Sequence, residues 1–515
     1  LTAVARDAAG NSATSAGVAV SVQNTGSPET VGRWSAVQDW PIVAVHMVLM
    51  PTGQVLAFDG WGNSPNSHRL WNPGNGTFTG VPYGLNIFCG GQTTLGDGRA
   101  IIIGGHVAAY VGTKDTTLFD AQTQTWSAKA DMFRARWYPT ATALPDGRVL
   151  AISGDNPTQG KPINRLYDTS STIPEVYNPA TDTWTQLTGA ARDVRLYPFM
   201  FVLPDGRVID AGPFTQTQYL NLTTGTWTVG PTSQIDGHSA VQYRPGRIMK
   251  SGTAADPDFP DLNVTGRTVV LDTTATSPAW REVGSMAYPR SYQDLTLLPD
   301  GTVLATGGAT RSDGVYQQYA AKAAEIWNPA TETWSTMASE QRARLYHSSA
   351  LLLPDGRVLV AGGGAFPNSP AIDEANAEIY SPPYLFKGPR PTITASPGTA
   401  TYGSSFTVET PDASRIRSVS MMRLGGVTHS VDMGQSFVPL TFTTGQNQLL
   451  VRAPDNANLA PPGVYMLFIV DDQGVPSVAS FVRMPVGADT TAPTVAVSAP
   501  AAGASVSGTV AVSAT

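Results

Sequence analysis

The chain has 515 residues, which is long enough for several domains. Its 51 Gly and 40 Pro, with only 14% charged residues, favour many short strands and tight turns over a helical fold. A net charge of −7 without a basic block argues against nucleic acid as a partner. No apolar run is long enough to span a membrane, and a single cysteine excludes an intrachain disulfide.

The two ends of the chain differ from the middle. Residues 1–24 resemble the end of an Ig-like module, and residues 489–515 resemble the start of another module of the bacterial tandem type. Neither piece is a complete domain, and the chain begins with neither Met nor a signal peptide. We therefore expect a longer secreted, bacterial, modular protein in which this part is a monomer without a membrane span.

A turn signal of the Pro-Asp-Gly-Arg type recurs between residues 32 and 386. Each copy follows an apolar strand and precedes a second strand that ends in Gly, and later strands carry a Trp in most units. Four antiparallel strands in about 50 residues describe a kelch blade. Seven such blades close into a ring, because a linear array would need polar caps that the sequence lacks. The seven turn glycines are Gly53, Gly98, Gly147, Gly206, Gly246, Gly301 and Gly356.

The turn signal stops after residue 386, and residues 389–486 contain alternating strands instead. This pattern is typical of an immunoglobulin-like β-sandwich. The predicted fold is therefore all-β, with a seven-bladed kelch β-propeller over 32–386 followed by the sandwich over 389–486.

Side chains with redox and metal-binding chemistry share one position of the repeat. Cys89, Tyr138, Tyr197, Tyr292 and His347 each lie nine residues before a turn glycine. Equal offsets place them at one level of the innermost strands, which line the channel of a propeller. A thiol, phenols and an imidazole directed at one axis suggest a transition-metal redox site, although an aromatic residue could also belong to the repeat consensus.

Tyr346 directly precedes His347. Neighbouring residues of a strand point to opposite faces, so these two side chains can share a site only if the strand begins irregularly.

Several separated motifs resemble the copper radical oxidases, the family of galactose oxidase and the glyoxal oxidases. The resemblance covers about residues 32–486. The sequences around Tyr138 and His429 are closer to those of the glyoxal oxidases than to that of galactose oxidase. The principal motifs are residues 88–91, 136–140, 344–348, 428–435 and 460–468.

The resemblance implies a role for each residue of the site. A thioether would join Cys89 to Tyr138, which would bind one copper ion and hold a radical. Tyr346 would be the second phenolate and the proton acceptor, and His347 and His429 would be the imidazole ligands. The implied reaction oxidises a primary alcohol or a small hydrated aldehyde with O₂, giving an aldehyde or carboxylic acid and H₂O₂. Copper changes charge by one, so the oxidised protein group accepts the second electron.

Other side chains are assigned by position. His238, Gln234 and Arg311 are candidate substrate contacts, and the alternative for His238 is a hydrogen-bonded histidine that lines the channel. His46 and His106 are interpreted as structural and His68 as a surface residue.

One feature of galactose oxidase is missing from the sequence. A tryptophan stacks on its thioether tyrosine from a loop that corresponds to residues 153–162 of this chain, and this loop has no Trp but has Asn156 near that place. Galactose is therefore not favoured as the substrate. The alternative to an oxidase is an inert propeller that binds carbohydrate or cell-surface partners, and the presence of all five site residues argues against it.

Overall fold

A computed structural model describes residues 4–6, 12–14, 26–60, 67–155, 171–254, 263–364, 370–487, 497–499, 507 and 513–514. Nearly all regular structure in these ranges is β-strand, which confirms the predicted all-β class. One short α-helix spans Pro28–Val31. Short 3₁₀ helices span Thr188–Ala190, Gln317–Tyr319, Pro383–Phe386 and Ala413–Arg415.

Seven antiparallel sheets form the blades of the predicted propeller, and in blades one to six the strands follow one another along the chain from the innermost to the outermost. Blade one comprises His46–Leu49, Val55–Phe58, Arg69–Trp71 and Phe78–Gly80. Blade two comprises Gly91–Thr94, Ala100–Ile103, Thr116–Asp120 and Thr125–Ala128. Blade three comprises Thr140–Ala143, Val149–Ile152, Glu175–Asn178 and Thr183–Gln186. Blade four comprises Met200–Val202, Val208–Asp210, Gln216–Asn221 and Thr226–Thr232.

Blades five and six have the same order, whereas blade seven takes its outer strands from the N-terminal part of the chain. Blade five comprises Ser239–Arg244, Arg247–Ser251, Thr268–Asp272 and Trp280–Val283. Blade six comprises Ser291–Leu297, Val303–Ala309, Ala323–Asn328 and Thr333–Ser339. Blade seven comprises Ser348–Leu352, Val358–Gly362 and Asn376–Ser381, and its outer edge is formed by Arg33–Trp34 and Gln38–Asp39.

The ring is closed by the N-terminal part of the propeller. Arg33 pairs with Ser381 and Trp34 with Tyr380, so the last blade receives its outer strand from the start of the chain. The Trp34 indole also donates to the carbonyl of Ala338 in blade six, at 2.8 Å. Backbone pairing therefore joins the two ends of the propeller into a closed ring.

The predicted tryptophans of the outermost strands link neighbouring blades. Each indole N–H donates to an oxygen of the preceding blade or of the segment that leaves it. The donors and acceptors are Trp126 to Val81, Trp184 to Ala130, Trp227 to Ala190, Trp280 to Thr217 and Trp334 to Thr268, at 2.7 to 3.0 Å. A buried indole needs such a partner, so the repeat places the same residue in the same contact.

The sandwich consists of two antiparallel sheets. One contains Ser405–Glu409, Gln448–Arg452 and Phe442–Gly445, and the other contains Phe437–Leu440, Ile416–Arg423, Gly463–Asp471 and Ser480–Met484. Their inner faces enclose a separate apolar core that includes Phe406, Leu449, Val419 and Leu467. Between two of its strands, Gly426–Thr428 and Val431–Asp432 leave the sandwich and extend blade one to six strands.

The chain ends show only two short hairpins, Val4–Arg6 with Ser12–Thr14 and Val497–Ala499 with Ser513–Ala514. The rest of the two predicted end modules lies outside the described residues, and the domain boundaries stay predictions. Among the helices that the structure describes, none has the length and apolar character needed to cross a membrane.

Three blades contain a fully buried ion pair between the segment that enters the innermost strand and the third strand. Arg136 pairs with Glu175 at 2.8 Å, and the other two pairs are Arg290 with Glu325 at 2.9 Å and Arg344 with Glu378 at 3.2 Å. Removing one partner of such a pair leaves a buried charge without compensation.

We expect Glu325→Ala to lower the free energy of unfolding by about 3–5 kcal/mol, because Arg290 stays buried without its carboxylate. Guanidinium unfolding followed by tryptophan fluorescence measures this change. The matched control is Asp146→Ala, which removes the exposed pair with Arg148. This control should cost less than about 1 kcal/mol. Equal losses in the two variants would contradict the prediction.

Candidate metal centre

The five residues that share the repeat offset also share an unusual backbone conformation. Their φ angles are positive: 61° at Cys89, 64° at Tyr138, 47° at Tyr197, 61° at Tyr292 and 70° at His347. Positive φ is uncommon for residues other than glycine, and aromatic side chains adopt it only where the surroundings require it. The equal spacing in the sequence therefore corresponds to an equal local structure.

This conformation is the irregular strand start that Tyr346 and His347 need to share a site. His347 lies directly before the strand Ser348–Leu352, so the alternation of faces begins only after it. The two rings lie 3.9 Å apart between centroids, with 24° between their planes. Both side chains consequently occupy one region of the channel.

The five residues that share the repeat offset are called the hub residues. Backbone hydrogen bonds connect some of them between neighbouring blades. The N–H of Tyr138 donates to the carbonyl of Cys89, and the N–H of Tyr197 donates to the carbonyl of Tyr138, each at 2.9 Å. The Cys89 side chain is fully buried in one apolar cluster with Tyr138 and Trp137. Burial raises the pKa of the Cys89 thiol well above its usual value. The thiol is therefore neutral and belongs to the same apolar cluster as the Tyr138 ring.

Two phenols and two imidazoles meet at the mouth of the channel. The hydroxyl oxygens of Tyr138 and Tyr346 are 2.5 Å apart. The His429 ring lies 4.5 Å from the Tyr138 ring and 4.6 Å from the His347 ring, measured between centroids. Burial raises the pKa of Tyr138 well above its usual value. Blade three, blade seven and the sandwich thus each contribute to one cluster of donor atoms.

His429 reaches the channel on the segment that leaves the sandwich. The strand Gly426–Thr428 pairs with the innermost strand of blade one. The Gln435 side chain accepts from the N–H of Leu297 at 2.8 Å and donates to the carbonyl of Leu295 at 2.7 Å, in blade six. Contacts with two blades therefore set the position of the loop that carries His429.

The donor set fits copper. The Nδ1 of His347 lies 2.6 Å from the carbonyl oxygen of Gly364 and donates to it, so Nε2 is the unprotonated nitrogen that can bind a metal. His429 contacts Thr428 Oγ1 through Nδ1 at 2.5 Å, and its buried Nε2 has no hydrogen-bond partner among the described residues. Burial lowers the pKa of His429 well below its usual value, which keeps the imidazole neutral. Neutral imidazoles and phenol oxygens suit Cu(II).

The phenols are needed to complete this set. Within the described ranges, no three His, Cys, Asp or Glu side chains come together as a metal site. A metal at this position therefore requires ligands of another type, and the Tyr138 and Tyr346 oxygens are adjacent to the two imidazoles.

A tryptophan that the sequence motifs did not single out stacks on Tyr138. The rings of Trp137 and Tyr138 lie 3.6 Å apart with 7° between their planes. The Trp137 indole donates to Nδ1 of His106 at 3.0 Å, which fixes its orientation. Neighbouring residues of a regular strand cannot stack in this way. The repeat position that Tyr138 shares with the other hub residues was therefore the signal that could have indicated the stacking of Trp137. Asn156, which the sequence placed near the stacking position, lies outside the described residues.

One histidine differs from its sequence interpretation, and another makes a contact that the sequence did not indicate. The prediction that His68 is a surface residue is wrong, because it is fully buried and packs against Phe58 and Trp126. His46, interpreted as structural, supports the backbone of the site: its Nε2 accepts from the N–H of Cys89 at 3.1 Å. Burial also lowers the pKa of His46 to about 3. A histidine on an apolar strand gave no signal of this contact in the sequence.

The candidate substrate residues occupy different surroundings. The His238 ring lies 4.7 Å from Tyr292, whose ring is 5.1 Å from Tyr346, so His238 belongs to the hub region. Arg311 pairs with Asp313 at 3.3 Å. Gln234 is exposed, and its amide donates to the carbonyl of Trp280 on the outermost strand of blade five at 3.1 Å. The contacts of His238 join it to the hub, whereas those of Gln234 do not.

Comparisons with known proteins agree with this geometry. The family model described as "Galactose oxidase-like, Early set domain" matches residues 390–484, and "Glyoxal oxidase N-terminus" matches residues 252–384. A galactose oxidase of Gibberella zeae is 30% identical over 500 residues, covering 88% of this chain and 71% of that protein. The aldehyde oxidase GLOX of Vitis pseudoreticulata is 28% identical over 401 residues, covering 68% and 72% respectively.

A solved structure shares the fold. It is a fungal alcohol oxidase of the AA5 family in complex with copper, with a TM-score of 0.79 and 24% identity, covering 88% of this chain and all of that chain.

The propeller and its buried cluster of imidazoles and phenols define a copper-dependent oxidase that acts on alcohol or aldehyde groups. The chain belongs to the copper radical oxidase family of galactose oxidase and the glyoxal oxidases. The cofactor of this family is one copper ion together with a tyrosine–cysteine group formed from the protein itself.

We expect Gln435→Leu to weaken Cu(II) binding by about tenfold, because changes that disturb the support of a ligand typically cost that much or more. The substitution removes both hydrogen bonds that hold the His429 loop to blade six. Competition with a chromophoric chelator measures the affinity. Asn458→Leu is the control, since it removes a sandwich-to-propeller hydrogen bond, to Pro204, outside this loop. A Cu(II) affinity that is unchanged in Gln435→Leu would contradict the prediction.

Proposed function

We propose that the protein is a secreted oxidase that converts a primary alcohol or a small hydrated aldehyde, with O₂, into an aldehyde or carboxylic acid and H₂O₂. The observation that carries this proposal is the 2.5 Å contact between the hydroxyls of Tyr138 and Tyr346, beside two buried imidazoles. The substrate preference is closer to that of glyoxal oxidases than to that of galactose oxidase. The amino-acid sequences of residues 136–140 and 428–435 support this preference. The galactose oxidase and the GLOX protein compared above come from Gibberella zeae and Vitis pseudoreticulata, so the bacterial origin of this chain stays a prediction.

Cys89 and Tyr138 form the organic half of the proposed cofactor. A C–S bond joins the sulfur to the ring, while the S–H bond and one ring C–H bond break. The two electrons and two protons released reduce O₂ to H₂O₂. The sulfur donates electron density to the ring, so the modified phenol is easier to oxidise than tyrosine.

The substrate loses two electrons and two protons in the proposed reaction. Tyr346 accepts the hydroxyl proton, and its partly exposed position gives the substrate access to it. The oxidised Tyr138 group takes a hydrogen atom from the carbon. Copper, when held by Tyr138, Tyr346, His347 and His429, supplies the second electron acceptor and favours the ionised phenols. O₂ receives the electrons and leaves as H₂O₂.

Trp137 takes the stacking role in this proposal. Its ring covers Tyr138 at 3.6 Å and limits access of water to the oxidised ring. Trp137 belongs to the motif of residues 136–140. It therefore provides the aromatic cover for Tyr138 that residues 153–162 do not provide. His238 and Arg311 stay candidate contacts of the substrate.

We expect the protein, after exposure to Cu(II) and air, to release H₂O₂ with primary alcohols or small aldehydes. Mass spectrometry of the same sample should find the Cys89 and Tyr138 peptides joined and lighter by two hydrogens. Tyr346→Phe should lower kcat by roughly 100- to 10 000-fold, the usual contribution of a proton acceptor. A coupled peroxidase assay over a substrate panel measures both rates.

Tyr177→Phe is the matched control, because it removes a phenol from the third strand of blade three, away from the hub. Its rate should equal that of the wild type. Separate Cys89 and Tyr138 peptides in copper-loaded protein would refute the proposed cofactor. Joined peptides without peroxide over the whole panel would favour an inert binding propeller.

We expect Trp137→Ala to raise the midpoint potential of the Tyr138 group by roughly 20–65 mV, equivalent to about 0.5–1.5 kcal/mol for an aromatic pair. The radical should also decay faster, since the ring loses its cover. Spectroscopic redox titration and the decay of the radical absorption measure the two effects. Trp137→Phe keeps an aromatic ring and should lie nearer to the wild type. A potential that is the same in all three proteins would contradict the assignment.

A further inference from the structure

The backbone N–H of Cys89 has a different kind of acceptor from the N–H groups of Tyr138 and Tyr197. In blades three and four, the hub N–H donates to the hub carbonyl of the preceding blade. The corresponding position of blade one, nine residues before Gly53, is Ala44, which does not have positive φ. The N–H of Cys89 donates instead to Nε2 of His46 at 3.1 Å. An imidazole therefore replaces a peptide carbonyl at the one hub residue that carries a thiol.

The tautomer of His46 is set by Gln92. Because Nε2 accepts a hydrogen bond, the proton lies on Nδ1, which is 3.0 Å from Oε1 of Gln92. The Gln92 amide nitrogen donates to the carbonyls of Met47 at 3.2 Å and Val427 at 2.8 Å. Both amide hydrogens are used in this way, so the oxygen must face His46.

The same histidine lies beside the segment that carries His429. His46 is the strand partner of Thr428, and Thr428 Oγ1 contacts His429 Nδ1 at 2.5 Å. The His46 ring stacks on Phe58 at 4.3 Å and lies 5.7 Å from the His429 ring, with no solvent exposure. His46 therefore contacts the backbone of Cys89 and also lies beside the segment that carries His429.

We propose that His46, oriented by Gln92, is a positioning residue that holds Cys89 for thioether formation and holds His429 toward the metal. This inference rests on the proposed function. The left-handed conformation of Cys89 is unfavourable for a residue with a side chain, and the hydrogen bond from its N–H stabilises it. Without that bond the backbone relaxes, and the sulfur moves away from the Tyr138 ring. In the step that His46 supports, one C–S bond forms, S–H and C–H bonds break, and O₂ takes two electrons and two protons.

The test follows thioether formation in the full-length, metal-free protein after addition of Cu(II) and air. The joined Cys89–Tyr138 peptide is quantified against time by mass spectrometry. We expect His46→Ala to slow its formation and to weaken Cu(II) binding, each by about tenfold. His46→Gln places an amide oxygen near the position of Nε2 and should recover most of the rate.

Two further variants keep the test decisive. His68→Ala removes another fully buried imidazole from blade one, which packs against Phe58 and Trp126, and should react as fast as the wild type. If His46→Ala does not fold, Gln92→Leu removes the partner of Nδ1 and the contact with Val427, and it should slow the reaction in the same direction.

The possible outcomes separate the two hypotheses. A wild-type protein that never joins the peptides refutes the proposed function and this inference with it. A wild-type protein that joins them, together with His46→Ala at the same rate, overturns the positioning role alone. Equal slowing in His46→Ala and His68→Ala, or no recovery in His46→Gln, overturns it as well.

Discussion

The site depends on a left-handed residue at the start of the innermost strand. In a regular strand, neighbouring side chains would point into the two adjacent blade interfaces, and few could meet at the axis. Positive φ at Tyr138 and His347 turns their side chains toward the mouth of the channel. Each such residue costs about 1–2 kcal/mol. Hydrogen bonds between hub residues and the buried arginine–glutamate pairs just before them stabilise the arrangement.

Completion of the metal centre requires the sandwich as well as the propeller. Two phenols and one imidazole come from blades, whereas His429 lies on a loop that contacts blade one and blade six. Because one ligand belongs to another part of the chain, metal binding is coupled to the packing of the sandwich on the propeller. The anchors of this loop, such as Gln435, therefore contribute to the metal site without touching the metal.

Burial keeps the donor set uncharged before a metal is bound. It raises the pKa of the Tyr138 phenol and of the Cys89 thiol, and it lowers the pKa of the His429 imidazole. An apolar site tolerates the burial of these residues, since each is neutral or hydrogen-bonded. A cation changes this balance and favours the ionised phenols. The aromatic layer around Tyr138, with Trp137 in parallel contact, then encloses the oxidisable ring.

The sequence by itself determined the all-β class, the seven repeats and the set of residues at one level of the hub, because turn glycines and apolar strands recur at a readable spacing. The role of His429 as a ligand came only from the family resemblance of residues 428–435. Only the tertiary structure decided that Trp137 stacks on Tyr138, that His46 receives the N–H of Cys89, and that His68 is buried. These contacts join residues of different blades, or neighbours in a strand whose regular geometry is broken. The spacing of residues along the chain indicates which level of a blade a residue occupies. It does not indicate which side chains meet across the channel.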